Sequence, residues 1–394
     1  MTPGARLSAA IELLDAIIVA AREGGAAADT LIARYFATRR YAGSKDRRAV
    51  RELVYEAIRR FGEPPPSGRA AMVALVGIDP AVAAMFDGSA HAPQAIDPSE
   101  PRAVESRVPG WLGRQLAESG LDSADIASLI DRAPLDLRVN RLRATPAGLV
   151  DQIAEARLVD GAPDALRLPT GTMVDQLPAW RDGLIEIQDV GSQMVTAAAR
   201  TQPGMQVIDL CAGAGGKALA LAAAMDNCGV VLASDVDRAR LSRLAPRAER
   251  AGATIIETRL LDGDREAAAL EDWTDRADVV LIDAPCSGTG TWRRNPEARW
   301  RLSPPRIARL TATQSRLLDL GATLVRPGGA LVYIVCSLLD AEGTGQIDRF
   351  LTDHPGWIAE APIAQGRPRG AGKRLTPAHD ATDGFFVARL VRPW

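Results

Sequence analysis

The sequence predicts an α/β protein whose main domain is a doubly wound parallel sheet, preceded by an all-helical domain and a small α+β module. Three observations carry that expectation. From Gly183 onward, short β-branched runs alternate with helical stretches, the pattern of repeated βαβ units. Several of those runs end in a carboxylate or a cysteine, and the carboxyl edge of such sheets is where ligands bind. Residues 5–60 instead repeat apolar positions at helical spacing.

In chain order, Leu7, Ile11, Leu14, Ile17 and Ile18 share one face of a first helix, and DTLIARYFATR (29–39) continues as a second. SKDRRAVRELVYEAIRRF (44–61) is a third, with Ser44 as its expected N-cap. Val50, Leu53, Val54, Ala57, Ile58 and Phe61 form its buried stripe. Pro64, Pro65 and Pro66 end it, GRAAMVALVG (68–77) resumes helix, and residues 87–106 read as a linker rich in Pro, Ser and acid. Residues 1–106 are thus the expected all-helical domain. Residues 107–182 form the module, with short helices in WLGRQLAESG and SADIASLIDRA and a half-buried strand in PLDLRVN (134–140). Thr145 should cap a helix that has Pro146 at its first position. Residues 183–394 form the main domain.

The strand MQVIDL (205–210) runs into Cys211, Ala212, Gly213, Ala214, Gly215, Gly216 and Lys217, and then into an Ala/Leu-rich helix. Glycines at a strand-to-helix turn let backbone approach a ligand at the helix N-terminus. The next strand, GVVLASD (229–235), ends in Asp235, 22 residues after Gly213. An acid about 20 residues on from such a glycine meets ribose hydroxyls in nucleotide-binding units. Ala218 follows Lys217, so the loop is not a phosphate-binding GxxxxGK[ST] motif, and its glycines do not match GxGxxG. With Asp209 at the strand end and Asp262 after ATIIETRLL, the carboxylates suit a ligand with a cationic end and a ribose. S-adenosylmethionine has that chemistry.

A second strand-to-loop junction carries Asp283, Pro285 and Cys286 after ADVVLI (277–282), and GGALVYIVCS (328–337) brings Cys336 to a strand end. Right-handed crossovers set these strands side by side, so two thiols should emerge together at one edge. A lone buried cysteine is ordinarily an inert small hydrophobe; a pair facing a methyl donor suits C5 methylation of a pyrimidine. One thiolate adds to C6, making C5 nucleophilic, and Asp283 stabilises the base at N3.

The motifs IQDVGSQ (187–193), DLCAGAGGK (209–217), SDVD (234–237), DGD (262–264), LIDAPCSGTGTWRRNPEARW (281–300), YIVCS (333–337) and DGFFVARL (383–390) resemble the RsmB (Sun/Fmu) and NSUN family of RNA cytosine-C5 methyltransferases. DRRAVRELVYEAIRR (46–60) is similar to the NusB-like RNA-binding domain of its bacterial 16S rRNA branch, and PLDLRVN to the start of an RRM-like module. The resemblance implies a Rossmann-like class I methyltransferase domain. It implies Cys336 as nucleophile, Cys286 assisting product release and Asp283 on the base edge. It also implies that Cys211 to Lys217, Asp235, Asp262 and Asp283 hold S-adenosylmethionine. The chain departs from the family in having Ala214 where proline is usual and Val335 where threonine is usual. Rival readings are a tRNA or DNA cytosine-C5 methyltransferase, the latter attacking through Cys286, and a non-catalytic pre-rRNA assembly factor.

Net charge is −2, which excludes a chain that coats nucleic acid indiscriminately, yet nine basic residues lie between Arg34 and Arg60 against three acidic ones. A second cluster, Arg293, Arg294, Arg299 and Arg301 with Trp292 and Trp300, follows the Cys286 loop and is expected to grip RNA phosphate. Four cysteines without a CxxC pair and three scattered histidines (His91, His354, His379) give no expected metal site. No apolar run reaches the ~18 residues of a membrane span, and the N-terminus lacks a signal-peptide pattern. The expectation is a cytoplasmic monomer needing no protein partner, acting on a single-stranded or loop cytidine, because a stacked base cannot reach the thiols.

Overall fold

The computed structural model describes residues 1–263 and 265–394. Asp264, which closes the DGD motif, lies outside the described residues. The chain forms two compact units: Met1–Asp131 with Thr291–Pro304, and Arg132–Gly290 with Pro305–Trp394.

The first unit is helical. Its helices are α1 (Pro3–Glu23), α2 (Ala28–Ala37), α3 (Ser44–Arg60), α4 (Gly68–Leu75), α5 (Gly110–Glu118) and α6 (Ser123–Ser128). The i, i+3, i+4 spacing of Leu7, Leu14, Ile17, Val50, Val54 and Ile58 buries these side chains in one core. The cap of α3 is Gly43 rather than Ser44, which is already helical. Asp46 accounts for the difference: its carboxylate accepts the Gly43 N–H at 3.3 Å and also takes the Arg6 guanidinium. The short helices of WLGRQLAESG and SADIASLIDRA belong to this unit rather than to the α+β module.

The second unit holds two sheets. The smaller has four strands, β1 (Leu135–Val139), β2 (Arg157–Val159), β3 (Ala162–Leu168) and β4 (Ile185–Ile187), in the order β2-β3-β1-β4 with antiparallel pairing throughout. Thr145 caps the helix Pro146–Val150 by accepting the Gly148 N–H, as the sequence predicts. β1 is not half-buried, however. Asp136 and Arg138, on the face expected to be wet, are 1% and 5% exposed. Asp136 is covered by a two-pronged contact from Arg167 at 2.6 and 3.1 Å, and Arg138 Nε donates to Gln188 at 2.6 Å. Asp136 is thus buried as half of an ion pair and Arg138 as a hydrogen-bonded cation, the conditions under which such residues leave water.

The larger sheet contains β5 (Gln206–Asp209), β6 (Val230–Asp235), β7 (Ile256–Leu260), β8 (Ala277–Asp283), β9 (Val325–Val335), β10 (Ile358–Glu360), β11 (Arg367–Arg369), β12 (Gly372–Leu375) and β13 (Phe385–Val391). Its order is β11-β12-β13-β9-β8-β5-β6-β7, with β10 paired to β13. The strands β7, β6, β5, β8 and β9 are parallel, and β13 adds to β9 antiparallel. Alternate residues serve opposite cores: Val207, Val231, Val279 and Val332 face one, and Ile208, Leu232, Val280 and Leu331 the other. Burial on both faces is why these strands read as unbroken apolar runs. The order turns back between β5 and β8, since β6 and β7 extend one way and β9 the other. That switch point opens a crevice at the strands' carboxyl ends.

Candidate active site

The turn after β5 holds the first half of the site. Gly215 adopts a left-handed conformation (φ 85°) and begins the helix Gly216–Ala224, and a Cβ there would meet Leu244 Cδ1 at 2.5 Å. Only glycine satisfies both constraints. Ala214 sits where proline would stiffen the loop, but its carbonyl accepts from Arg247 Nη1 at 2.6 Å, which fixes it by another route. Asp235 is buried and accepts the Gly213 N–H at 2.7 Å, so the acid at the end of β6 ties down the glycine loop.

At the switch point is a cavity of about 230 Å³, lined by Asp209, Cys211, Ala212, Ala214, Gly216, Lys217 and Asp283. Ile187, Gln188, Ser192, Arg240 and Arg247 complete it, and sequence reasoning assigned none of these five to the site. IQDVGSQ was the available signal. Asp262 is exposed beyond the end of β7 and is not among the lining residues.

Besides Arg240 and Arg247, the cavity is faced by Lys217, Asp283 and Asp209. Lys217 Nζ donates to Asp283 Oδ2 at 2.6 Å. Burial works against the Lys217 charge, but Asp283, then Asp209 and Cys336, outweigh it and hold its pKa above the ordinary lysine value. Asp209 is fully buried, and neither of its oxygens meets a hydrogen-bond partner among the described residues. Burial raises its pKa to about 7, with Asp283 and Asp235 adding to the effect and Lys217 opposing it. An unpaired carboxylate there is costly unless a ligand supplies its partner. Burial, followed by the nearby carboxylates, drives the Cys211 thiol well above its usual pKa, which disfavours its thiolate.

Strands β8 and β9 are neighbours in register, with Asp283 opposite Ile334, and the loops beyond them bring the thiols together. Cys286 Sγ and Cys336 Sγ lie 3.4 Å apart. Hydrogen bonding to Cys336, then burial, hold the Cys286 thiol well above its ordinary pKa. The loops are stitched to each other by Gly290 N to Cys336 O at 3.0 Å and Leu338 N to Thr289 Oγ1 at 2.8 Å.

Two members of the arginine cluster after this loop, Arg299 and Arg301, behave differently from expectation. Arg299 is fully buried in the first unit and donates to the carbonyls of Pro296, Ile58, Arg59 and Phe61. Trp300 Nε1 also donates to Phe61 O, and Arg301 donates to Gly25 O and Ala26 O. Arg299 and Arg301 therefore staple the segment to helix ends, whose last carbonyls lack partners, and do not grip phosphate. Replacing Arg299 with Met should lower unfolding stability by about 2–4 kcal/mol by orphaning those carbonyls. In chemical denaturation of the whole chain that loss should appear, while the salt dependence of RNA binding should not lose the roughly one unit of slope that a phosphate contact carries.

The model of the 16S rRNA methyltransferase RsmB/F family matches residues 197–391. A ribosomal RNA small subunit methyltransferase B of Xanthomonas campestris is 37% identical over 299 residues, 74% of this chain and 68% of that protein. The chain belongs to the RsmB/F family. A probable ribosomal RNA small subunit methyltransferase B of Synechocystis is also 37% identical, over 72% of this chain and 66% of that protein. The chain thus spans about two thirds of the length of these curated relatives. Among solved structures, a methyltransferase homologue protein from Pyrococcus horikoshii shares 25% identity over 72% of this chain and all of that one, with a TM-score of 0.61. No helix among the described residues is long and apolar enough to cross a membrane.

Proposed function

We propose that this protein transfers a methyl group from S-adenosylmethionine to carbon 5 of a cytidine in RNA, with 16S rRNA as its substrate. The observation that carries the reading is the 3.4 Å approach of two free thiols beside a cavity that holds an unpaired buried carboxylate. The family's name supports the choice of 16S rRNA.

The residues fit the methyl donor on the evidence of Asp209, whose two orphaned oxygens sit where a cationic end would answer them. Asp209 would meet that cationic end, and the backbone from Cys211 to Lys217 would line the ligand's flank, with Asp235 holding the glycine loop in shape and Asp262 assigned to the adenine side. When bound, S-adenosylmethionine supplies an electrophilic methyl group.

Cys336 acts as the nucleophile. The Lys217 ammonium is close enough for Cys336 to raise its pKa, so a positive charge lies beside the attacking sulfur. The thiolate forms an S–C6 bond while N3, at the base edge met by Asp283 and its Lys217 partner, takes up a proton, which leaves C5 nucleophilic. C5 would take the methyl group as S-adenosylhomocysteine leaves; a base then removes the C5 proton, the C6–S bond breaks to return the thiolate, and N3 gives back its proton. Cys286 stays a neutral thiol beside the leaving sulfur and assists that elimination through hydrogen bonding. The direct test is transfer of labelled methyl groups to 16S rRNA, tRNA and DNA, followed by nucleoside analysis. The expected product is 5-methylcytidine in 16S rRNA; no transfer, or transfer only to DNA, would overturn the proposal.

The buried carboxylate also fixes a pH dependence. Asp209 titrates near 7 in the free protein. Below that value it is neutral and cannot attract a cation; above it, it is ionised. Affinity for S-adenosylmethionine should therefore rise with pH through about 7, changing by up to ~10-fold per unit on the acid side. Asp209→Asn should flatten that slope in calorimetric titrations and weaken binding by roughly 10-fold or more.

A further inference from the structure

Glu342 lies beyond the two cysteines and is fully buried. Its Oε1 accepts from Ser287 N at 2.8 Å and from Gln314 Nε2 at 3.0 Å. Its Oε2 accepts from Ser337 Oγ at 2.6 Å and from the Ser287 hydroxyl. Ser287 follows Cys286 and Ser337 follows Cys336, so a single carboxylate grips the residue after each thiol. The hydroxyls of Ser287 and Ser337 also lie 3.1 Å apart, and Gln314 donates to Pro285 O, just before Cys286. The backbone of Glu342 is itself anchored, because Tyr333 Oη donates to its carbonyl at 2.7 Å.

We propose that Glu342 is the positioning residue of the thiol pair: by holding Ser287 and Ser337 on one carboxylate, it sets the separation of Cys286 and Cys336. The inference rests on the reading of those thiols as the reacting pair. Two loops from different strands have no covalent reason to keep a fixed spacing, and a 3.4 Å contact between sulfurs is lost with small loop movements. Three charge-assisted hydrogen bonds from the two loops to one buried group, with a fourth from Gln314 on the helix Pro304–Leu324, supply that constraint.

The charge has a second consequence. Cys286 is held above its ordinary pKa by the Cys336 hydrogen bond, by burial and by the fields of Cys336 and Glu342. The Glu342 carboxylate thus helps keep Cys286 protonated. A residue that only braced the fold would leave the Cys286 thiol unchanged.

Two readouts on the full-length protein test the proposal: covalent trapping on 5-fluorocytidine-substituted 16S rRNA, and peptide-resolved alkylation of each cysteine by iodoacetamide across pH without RNA. Glu342→Gln removes the charge while keeping the shape. It should move Cys286 alkylation to lower pH and slow trapping by roughly 10-fold or more, with apparent RNA affinity within about twofold of wild type. Ser337→Ala keeps the charge but cuts one link; it should slow trapping without moving the Cys286 profile. It decides the matter if Glu342→Gln does not fold. Unchanged trapping and alkylation in Glu342→Gln, or a lowered melting temperature alone, would overturn the proposal, as would wild-type trapping in Ser337→Ala if that is the variant left to judge. Failure of the wild-type protein to trap would refute the functional reading instead, and the alkylation profiles would still decide the role of Glu342.

Discussion

Cys336→Ala should abolish both the covalent adduct and methyl transfer, a loss of at least roughly 10⁴-fold, because no other group adds to C6. Cys286→Ala should behave in the opposite sense: attack proceeds, elimination stalls, and protein linked to RNA accumulates on a denaturing gel. The geometry explains the asymmetry. The sulfurs touch at 3.4 Å, so either is close enough to meet the base, but their surroundings differ. Cys286 is kept neutral by its partner, by burial and by Glu342, whereas Cys336 has the Lys217 ammonium nearby. The DNA-methyltransferase rival predicts the reverse pattern, with adducts lost in Cys286→Ala and retained in Cys336→Ala. A pre-rRNA assembly factor would give neither phenotype.

Lys217→Met should be the next most damaging change, lowering kcat by roughly 10²–10³-fold with a smaller effect on RNA binding. Its ammonium neutralises Asp283 across 2.6 Å, opposes the charge of Asp209 and sits near Cys336. Removing it leaves Asp209 and Asp283 facing each other without a cation, so Asp209 holds its proton more tightly, and the sulfur of Cys336 loses a nearby positive charge. Lys217→Arg should not restore the rate, since a planar guanidinium of greater reach cannot occupy the site of a compact ammonium. Single-turnover methyl transfer, compared with the pH profile of Cys336 alkylation, separates a lost thiolate from a lost base contact. The sequence hints at this role: Lys217 is one of only three lysines among 47 basic residues.

Much of this arrangement was legible before any coordinates. Apolar runs buried on both faces gave the parallel strands, and handedness placed β9 beside β8, which brought Cys286 and Cys336 to one edge. Spacing singled out Asp235 and the glycine loop, and in the fold the acid accepts the Gly213 N–H. What could not be read was contact between residues distant in sequence. Arg299 looks like a phosphate ligand from its neighbours alone; only the folded chain shows it among the carbonyls of Ile58, Arg59 and Phe61. Glu342 carries no motif in the sequence reading, because its partners lie 5, 28 and 55 positions away on three different segments. Arg138 was assigned to a wet face because alternation records polarity, and a buried polar group with a distant partner looks the same as a solvated one.

The most direct measurement is the point of attachment in the trapped complex of wild-type protein with 5-fluorocytidine-substituted 16S rRNA. After protease and nuclease digestion, mass spectrometry should place the modified pyrimidine on the peptide containing Cys336, with Cys286 unmodified. Attachment to Cys286, or no covalent species in the presence of S-adenosylmethionine, would contradict the mechanism.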